Sequence, residues 1–421
     1  MLNFWRQIDR YDKLAFLLGL LLNVKFRIVG VFSVSEIILL AMCVFSGVFC
    51  YKENKYVKRL VFFTVLWIIG TIISNVHNDI VRLDFIKGVF FLVVLLFIIP
   101  PIYKIIHEKP ERLILYFLGY GISNLFARYT AADEMMSESL SANVYVYYSV
   151  AAFVYGICYF LYFKGRKKIA IYLCYATAIA GLFNMARNPF LTWTISTMLI
   201  LYVERKSLGS DGSSISFFKK KIPVLIFVAL GSGLLADFAY GYFAARGTLG
   251  YEAQDKYYKQ KMAGGNMLEG GRSETFMGIE LIKRNPIWGY GSYAKDVNDA
   301  FHAEYAAINN LEYRYSRTDD RYLPGHSHIV GAWLQNGILG GLFWMYVVVV
   351  LWKFFRSGCM LHERRMLLLI IAQLVALLWN ILFSPFGDRV STMFFVITLF
   401  CILDHYQKGY YDTNSIENLN L

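Results

Sequence analysis

Repeated apolar stretches of membrane-spanning length constrain this chain more than any other feature of its sequence. Each stretch is near the ~20 residues that a helix needs to cross ~30 Å of hydrocarbon. A segment inside a bilayer must satisfy its own backbone hydrogen bonds, so each stretch is expected to be helical. The sequence therefore predicts an all-α integral membrane protein with about 12 transmembrane helices. The predicted spans are residues 13–30, 33–51, 60–77, 86–103, 111–127, 142–163, 169–185, 188–204, 222–244, 328–354, 366–383 and 390–405.

The distribution of Lys and Arg predicts how the chain is oriented. The 421 residues carry a formal net charge of +12, and 57% of them are hydrophobic. The basic residues cluster in short loops between apolar stretches, which is typical of cytoplasmic loops of membrane proteins. The positive net charge therefore does not indicate nucleic acid as a partner. With a cytoplasmic N-terminus, every basic loop except the Lys25/Arg27 pair falls inside, and both termini are cytoplasmic. The basic loops are residues 51–59, 104–112, 164–168, 204–221 and 353–365.

One hydrophilic segment is much longer than the other external connections, and it divides the chain. The parts are residues 1–244 with spans one to nine, the large external loop 245–327, residues 328–405 with the last three spans, and a cytoplasmic tail, 406–421. All six cysteines lie in or beside predicted spans and none lies in this loop. The sequence therefore predicts neither a disulfide framework nor a cysteine-based metal site.

A helix is predicted within the external loop, in the stretch "SETFMGIELIKRNPIWG". Ser273 is its expected N-cap, acidic residues come early, basic residues come late, and Pro286 follows the helix. Its apolar positions are expected to share one face that packs against the membrane domain. These positions are Phe276, Met277, Ile279 and Ile282.

Two arginines are candidates for binding an anion. Arg187 lies at the external turn between spans seven and eight, where it is either a clamp for phosphate oxygens or a side chain that snorkels to the interface. Arg272 follows Gly271 and precedes the predicted helix. A cation, a flexible backbone amide and a helix N-terminus together suit a phosphate, although an ordinary solvated arginine fits this local pattern as well.

Two histidines stand on the external side just before the tenth span, in "GHSHIVGAWLQNGILGG". A histidine near neutral pH is a plausible general base. A metal site would need further ligands, and no Glu or Cys at metal-site spacing joins His326 and His328. A structural pair at the membrane interface is the other interpretation. Asp388 and Arg389, in the external turn between the last two spans, could orient these groups or pair with each other.

Two blocks of sequence resemble a known family. They are "RSETFMGIELIKRNPIWGYG", which opens with Arg272, and "HSHIVGAWLQNGILG", which opens with His326 and Ser327. Together with a large external loop before the last three spans and an arginine in an earlier external turn, they resemble the bacterial O-antigen ligase and O-antigen polymerase superfamily. The resemblance covers essentially the whole topology, while motif-level identity is confined to these two blocks.

The resemblance implies a function. Members of the superfamily are inverting, metal-independent glycosyltransferases with a helical, GT-C-like membrane fold, and they need no cofactor. Their donor is an oligosaccharide on undecaprenyl pyrophosphate at the periplasmic face of the inner membrane. By this resemblance Arg187 and Arg272 bind the pyrophosphate, and His326 activates the acceptor hydroxyl. The remaining expected substrate-binding residues are Gly271, Ser327, His328, Asp388 and Arg389.

The family pattern does not require His328, which is expected to support His326 rather than to react. Many members carry His-Asn where this chain has His-Ser, and a serine cannot supply both hydrogen bonds of an amide. That difference leaves the acceptor contacts open.

Two enzyme activities fit the same residues. A polymerase joins one lipid-linked repeat unit to another, whereas a ligase transfers the finished chain to lipid A–core. The aromatic start of the tenth span, "GAWLQNGILGGLFW", resembles the polymerases more closely. A polysaccharide chain-length regulator is then a candidate partner. A flippase or other transporter is a third hypothesis. Such a protein would be expected to carry charges within several spans and to show internal repeats, whereas this chain concentrates its polar residues in the external loop.

Overall fold

The computed structural model describes residues 9–27, 30–46, 50–130, 142–183, 187–207, 241–248, 250–251, 254–255, 257–258, 273–308 and 322–409. This part of the chain is mostly helical. Its helices are α1 (Arg10–Leu20), α2 (Val34–Ser46), α3 (Lys55–His77), α4 (Arg82–Ile106), α5 (Arg112–Thr130), α6 (Ala142–Phe163), α7 (Lys167–Phe183), α8 (Arg187–Ser207), α9 (Ser273–Arg284), α10 (Ala300–Ile308), α11 (His328–Ser357), α12 (Leu367–Phe383) and α13 (Arg389–Gln407). Strands β1 (Lys25–Arg27) and β2 (Val31–Ser33) form an antiparallel hairpin in which Phe26 pairs with Phe32.

Six of the described helices are long and apolar enough to cross a membrane, as expected of an integral membrane protein. They are Lys55–His77, Arg82–Ile106, Val146–Phe163, His328–Ser357, Arg364–Phe383 and Arg389–Gln407. The predicted ninth span, 222–244, lies largely outside the described residues. The total of about 12 spans therefore stays a prediction.

The N-terminal region differs from the predicted pair of spans. Helix α1 has 11 residues, so at 1.5 Å per residue it is only ~16 Å long. The chain then turns through the β1–β2 hairpin before α2 begins. The charged residues Lys25 and Arg27, near the end of the predicted span 13–30, lie in β1 instead of in a helix.

Helices α3 and α11 pack antiparallel through aromatic side chains. The ring centroids of Trp67 and Phe343 are 5.0 Å apart, and those of Phe63 and Tyr346 are 4.8 Å apart. The hydroxyl of Tyr346 donates a 2.7 Å hydrogen bond to the carbonyl of Tyr56. Between residues 343 and 346 of α11 the chain therefore runs back along α3, from Trp67 towards Tyr56.

Helix α11 is broken at Gly337 and folds back on itself. The backbone of Gly337 has φ 64° and ψ −164°, a conformation that does not occur in a helix. The rings of His328 and Trp344 are 4.7 Å apart, whereas a straight helix would separate these residues by ~24 Å. A Cβ on Gly340 would lie 2.3 Å from the carbonyl oxygen of Ala332. Residues 328–336, called α11a below, therefore run antiparallel to residues 338–357, called α11b.

The segment "NPIWGYG", residues 285–291, fills the break. In a continuous helix the Ile338 amide would donate to the Leu334 carbonyl. Here the Ile338 amide donates to the Ile287 carbonyl at 3.2 Å, and the Leu334 carbonyl accepts from the Tyr290 amide at 2.8 Å. The backbone groups freed by the break thus find partners within the protein, as a break at membrane depth requires. The break also brings residues 285–291 of the block that opens with Arg272 into contact with the block that opens with His326.

Candidate functional site

His326 lies in the short loop that enters α11a, and helix α9 holds it. Its Nδ1 atom contacts the Oε2 atom of Glu274, and both side chains are accessible, at 55% and 43% exposure. The hydroxyl of Thr275 donates a 3.0 Å hydrogen bond to the His326 carbonyl. The first turn of α9 therefore contacts both the ring and the backbone of this histidine.

Helix α9 has nearly the bounds expected from the sequence, and two of its four expected apolar positions pack inward, since Met277 is buried and Ile282 packs against the same cluster. Phe276 and Ile279 were expected to face the membrane domain, yet each is 38% exposed. A Cβ on Gly278 would lie 2.8 Å from the carbonyl oxygen of Pro324, because the loop that carries His326 lies directly on this face. The absence of a Cβ at position 278 lets the loop approach this face of α9 closely. The buried residues of α9 are Thr275, Met277, Gly278 and Leu281.

Ser327 is the N-cap of α11, and its hydroxyl is fully engaged in structure. Its Oγ atom accepts a 3.1 Å hydrogen bond from the Val330 amide and donates at 2.7 Å to the Ile381 carbonyl in α12. A side-chain oxygen in this position satisfies an amide that the helix leaves without a partner. Ser327 thus anchors the start of α11a against α12. A direct contact between Ser327 and substrate stays a prediction.

His328 differs from His326 in its surroundings. It is buried, and its Nδ1 atom donates a 2.7 Å hydrogen bond to the Ser384 carbonyl. Its ring packs against Trp344 and against Phe386, with centroids 4.7 and 5.2 Å away. His328 therefore ties the end of α12 to α11, while the ring of the neighbouring His326 is accessible. A contact between His328 and substrate also stays a prediction.

Arg389 is a buried structural group whose partner is Glu36. Its Nε atom donates to Glu36 Oε1 at 2.7 Å, and the two side chains are 5% and 6% exposed. Its Nη1 atom donates to the Phe91 carbonyl at 3.1 Å, and the guanidinium lies 4.2 Å from the centroid of the Phe91 ring. Asp388, instead of pairing with Arg389, caps α13 by accepting from the Ser391 amide at 3.1 Å. Roles for both residues in substrate binding stay predictions.

Replacing Glu36 with Gln should strongly destabilise the protein, because it leaves the Arg389 charge buried without its counter-ion. Breaking a buried pair in this way costs about 3–5 kcal/mol. The loss can be measured as a lower thermal unfolding temperature of the detergent-purified chain.

The matched control is Glu280→Gln, which removes the exposed pair between Glu280 and Lys283. Exposed pairs are worth at most about 1 kcal/mol. Equal unfolding temperatures for the two variants would contradict the structural role of the Glu36–Arg389 pair.

His328, which opens α11a, lies away from the end of α3 and from the start of α4 along the helix axes. Arg389 bonds to the carbonyl of Phe91, nine residues past the start of α4 at Arg82, which corresponds to ~14 Å along the axis. The ring of Phe386 lies 6.1 Å from that of Trp67, which is ten residues or ~15 Å before the end of α3. His328 contacts Phe386, so the segment that opens α11a lies at a similar depth.

The structure describes the three predicted catalytic residues to different extents. His326 is described with its side chain. Arg187 is the first residue of α8, but its side chain is outside the described atoms. Gly271 and Arg272 lie outside the described residues, and Arg272 directly precedes Ser273, where α9 begins. Contact between the arginines and His326 is therefore untested.

Glu274 belongs to the candidate site around His326, although no sequence motif points to it. In the sequence it is one of the early acidic residues of a helix, where a carboxylate complements the helix dipole and needs no other explanation. Its position two residues after Arg272 was the available signal. Only the packing of α9 against the loop before α11a brings it to His326.

A second histidine–carboxylate group lies at the start of α10. Asp296, Asp299 and His302 are buried, and their possible ligand atoms lie within 4.8 Å of one another, so the group could hold a metal ion. The Asp296 carboxylate, however, accepts from the Phe301 and His302 amides at 3.0 Å and pairs with the His302 ring at 2.5 Å. These bonds fix the start of α10, and we assign the group that structural role.

Comparison with known proteins does not identify a family. No protein-family model, no curated protein and no solved structure matches the chain. The resemblance to the O-antigen ligase and polymerase superfamily therefore rests on the two sequence blocks and on the predicted topology. A function for the chain has to be argued from those blocks together with the geometry around His326.

Proposed function

We propose that this chain is an inverting, metal-independent glycosyltransferase that polymerises lipid-linked repeat units of a bacterial surface polysaccharide. The observation that carries the proposal is the accessible His326, which is held by the helix that directly follows Arg272. The proposed location is the bacterial inner membrane, with the site facing the periplasm. The proposed donor is an oligosaccharide on undecaprenyl pyrophosphate.

In the proposed reaction His326 is the general base. It takes the proton from a hydroxyl of the acceptor sugar, and the hydroxyl oxygen forms a bond to the anomeric carbon of the donor. The bond between that carbon and the pyrophosphate oxygen breaks, and the electron pair leaves with the pyrophosphate. Arg187 and Arg272 would stabilise the negative charge of this leaving group through charge-assisted hydrogen bonds.

A strain that lacks the gene tests the proposal and separates polymerase from ligase. Loss of a polymerase should leave single repeat units on the lipid A–core, visible as one band in place of a ladder on a lipopolysaccharide gel. The wild-type chain supplied on a plasmid should restore the ladder. Bare core together with accumulated lipid-linked polymer would instead identify a ligase. An unchanged ladder would contradict both enzyme activities.

A further inference from the structure

We propose that Glu274 is a positioning residue for His326, so that the site contains a carboxylate–histidine pair. The carboxylate holds the Nδ1 side of the ring and directs the Nε2 side towards the acceptor hydroxyl. The inference rests on the proposed function, in which His326 is the base, and it adds a residue that the sequence blocks do not indicate.

The geometry of α9 supports this role in two ways. Glu274 contacts the Nδ1 atom of the ring, while the adjacent Thr275 donates to the backbone carbonyl of the same residue at 3.0 Å. Two consecutive residues of one helix therefore fix both the ring and the main chain of His326. The close approach of Gly278 to the Pro324 carbonyl keeps the loop against the helix.

The chemistry of the pair follows from its hydrogen-bonding groups. An ionised carboxylate is only an acceptor, so the Nδ1 atom that faces it must carry the hydrogen. A neutral imidazole has a single N–H, and Nε2 then carries the lone pair that can accept a proton. When the acceptor hydroxyl transfers its proton to Nε2, the ring becomes an imidazolium, which the negative charge of Glu274 stabilises. That proton leaves Nε2 to water once the pyrophosphate has departed.

Stability alone does not explain the pair. Both side chains are accessible to solvent, and ion pairs at such positions contribute little to folding. The buried histidine next in the chain shows the contrast, since His328 uses its Nδ1 atom on a neutral carbonyl and is packed between aromatic rings. His326 combines a charged partner with an accessible ring, which is the arrangement that a proton acceptor needs.

The first measurement of the test does not depend on activity. The purified full-length chain is treated with diethyl pyrocarbonate at a series of pH values, and mass spectrometry gives the fraction of His326 that is acylated. Only the neutral ring reacts, and a neighbouring carboxylate favours the charged ring. Glu274→Gln should therefore move the pH midpoint of His326 acylation to lower pH.

Two comparisons control this measurement. Glu280→Gln makes the same change on the same helix, where Glu280 pairs with Lys283, and should leave the midpoint where it is. The buried His328 should stay unmodified in every variant, which reports that the site is folded.

The second measurement is the rate of chain formation in membranes that contain lipid-linked repeat units. Glu274→Gln should slow it by a factor of up to about 10⁴, the loss seen when the carboxylate that orients a general-base histidine is replaced by its amide. Glu274→Asp keeps the carboxylate and should recover part of the rate. In Glu274→Gln, the acidic limb of the pH–rate profile should move to lower pH, because His326 without the carboxylate stays neutral at lower pH.

The outcomes separate the pair from the proposed function. A lower midpoint together with a slower rate supports the positioning role. An unchanged midpoint in Glu274→Gln, or a lowered midpoint with a normal rate, overturns it. If His326→Ala retains normal chain formation, the proposed function itself fails, whatever the acylation of the Glu274 variants shows.

Discussion

Replacing His326 with Ala is expected to abolish long polysaccharide chains while the protein remains in the membrane. The loss of a general base slows a reaction by roughly 10²- to 10⁴-fold, which is enough to remove a ladder of repeat units from a gel. The side chain is 55% exposed, so its truncation leaves no cavity in the core. The measurement is a lipopolysaccharide gel of a deletion strain that carries the variant, with the amount of protein in the membrane followed by immunoblot.

His77→Ala is the matched control for this variant. His77 is also an exposed histidine, and it lies at the end of α3 with its ring 5.4 Å from that of Trp288, away from α9. A strain with this change should make chains of normal length. A normal ladder from His326→Ala, at a normal amount of protein, would remove His326 from the proposed mechanism.

Hydropathy and local sequence signals predicted much of the helical structure. The long apolar stretches give α3, α4 and α13, and the helix signals around Ser273 and Pro286 give α9 nearly to the residue. The start of α3 was placed too late, since Asn54 caps the helix by accepting from the Tyr56 and Val57 amides. The first turn of that helix is polar, so a hydropathy average starts the span only after it.

Hydropathy could not predict the direction that the chain takes inside an apolar stretch. Residues 328–354 read as one span, because an average over a window records how apolar a segment is and not where it turns. The fold-back at Gly337 depends on hydrogen bonds from residues 285–291, which lie far away in the sequence. No local pattern in α11 encodes those partners.

The motif that opens α11a separated the two histidines, while their roles in a site stay predictions. The order "HSH" before the glycines distinguishes His326 from His328, and their accessible and buried environments agree with different roles. The partner of Arg389 was not predictable, since Glu36 lies 353 residues earlier and neither periodicity nor spacing joins the two. The same limit applies to Glu274, whose contact with His326 exists only once α9 has docked.

Gly337→Ala is expected to disrupt the fold around the site more than any other single methyl group added to α11. The added Cβ would lie 2.0 Å from the carbonyl oxygen of Ile287, and a backbone at φ 64° and ψ −164° is essentially restricted to glycine. Strain and steric clash together should cost more than about 3 kcal/mol. The measurement is the thermal unfolding temperature of the purified chain, together with the polysaccharide ladder that the variant supports.

Gly387→Ala provides the control, because a Cβ at that position meets no atom within 4 Å. Its unfolding temperature should match that of the unaltered chain, since a surface change of this kind costs no more than about 0.5 kcal/mol. If Gly337→Ala unfolds at the same temperature as this control and supports a normal ladder, the fold-back of α11a is wrong. His326 would then begin a straight helix, and the contacts that place His328 against Trp344 and Ser327 against α12 could not form.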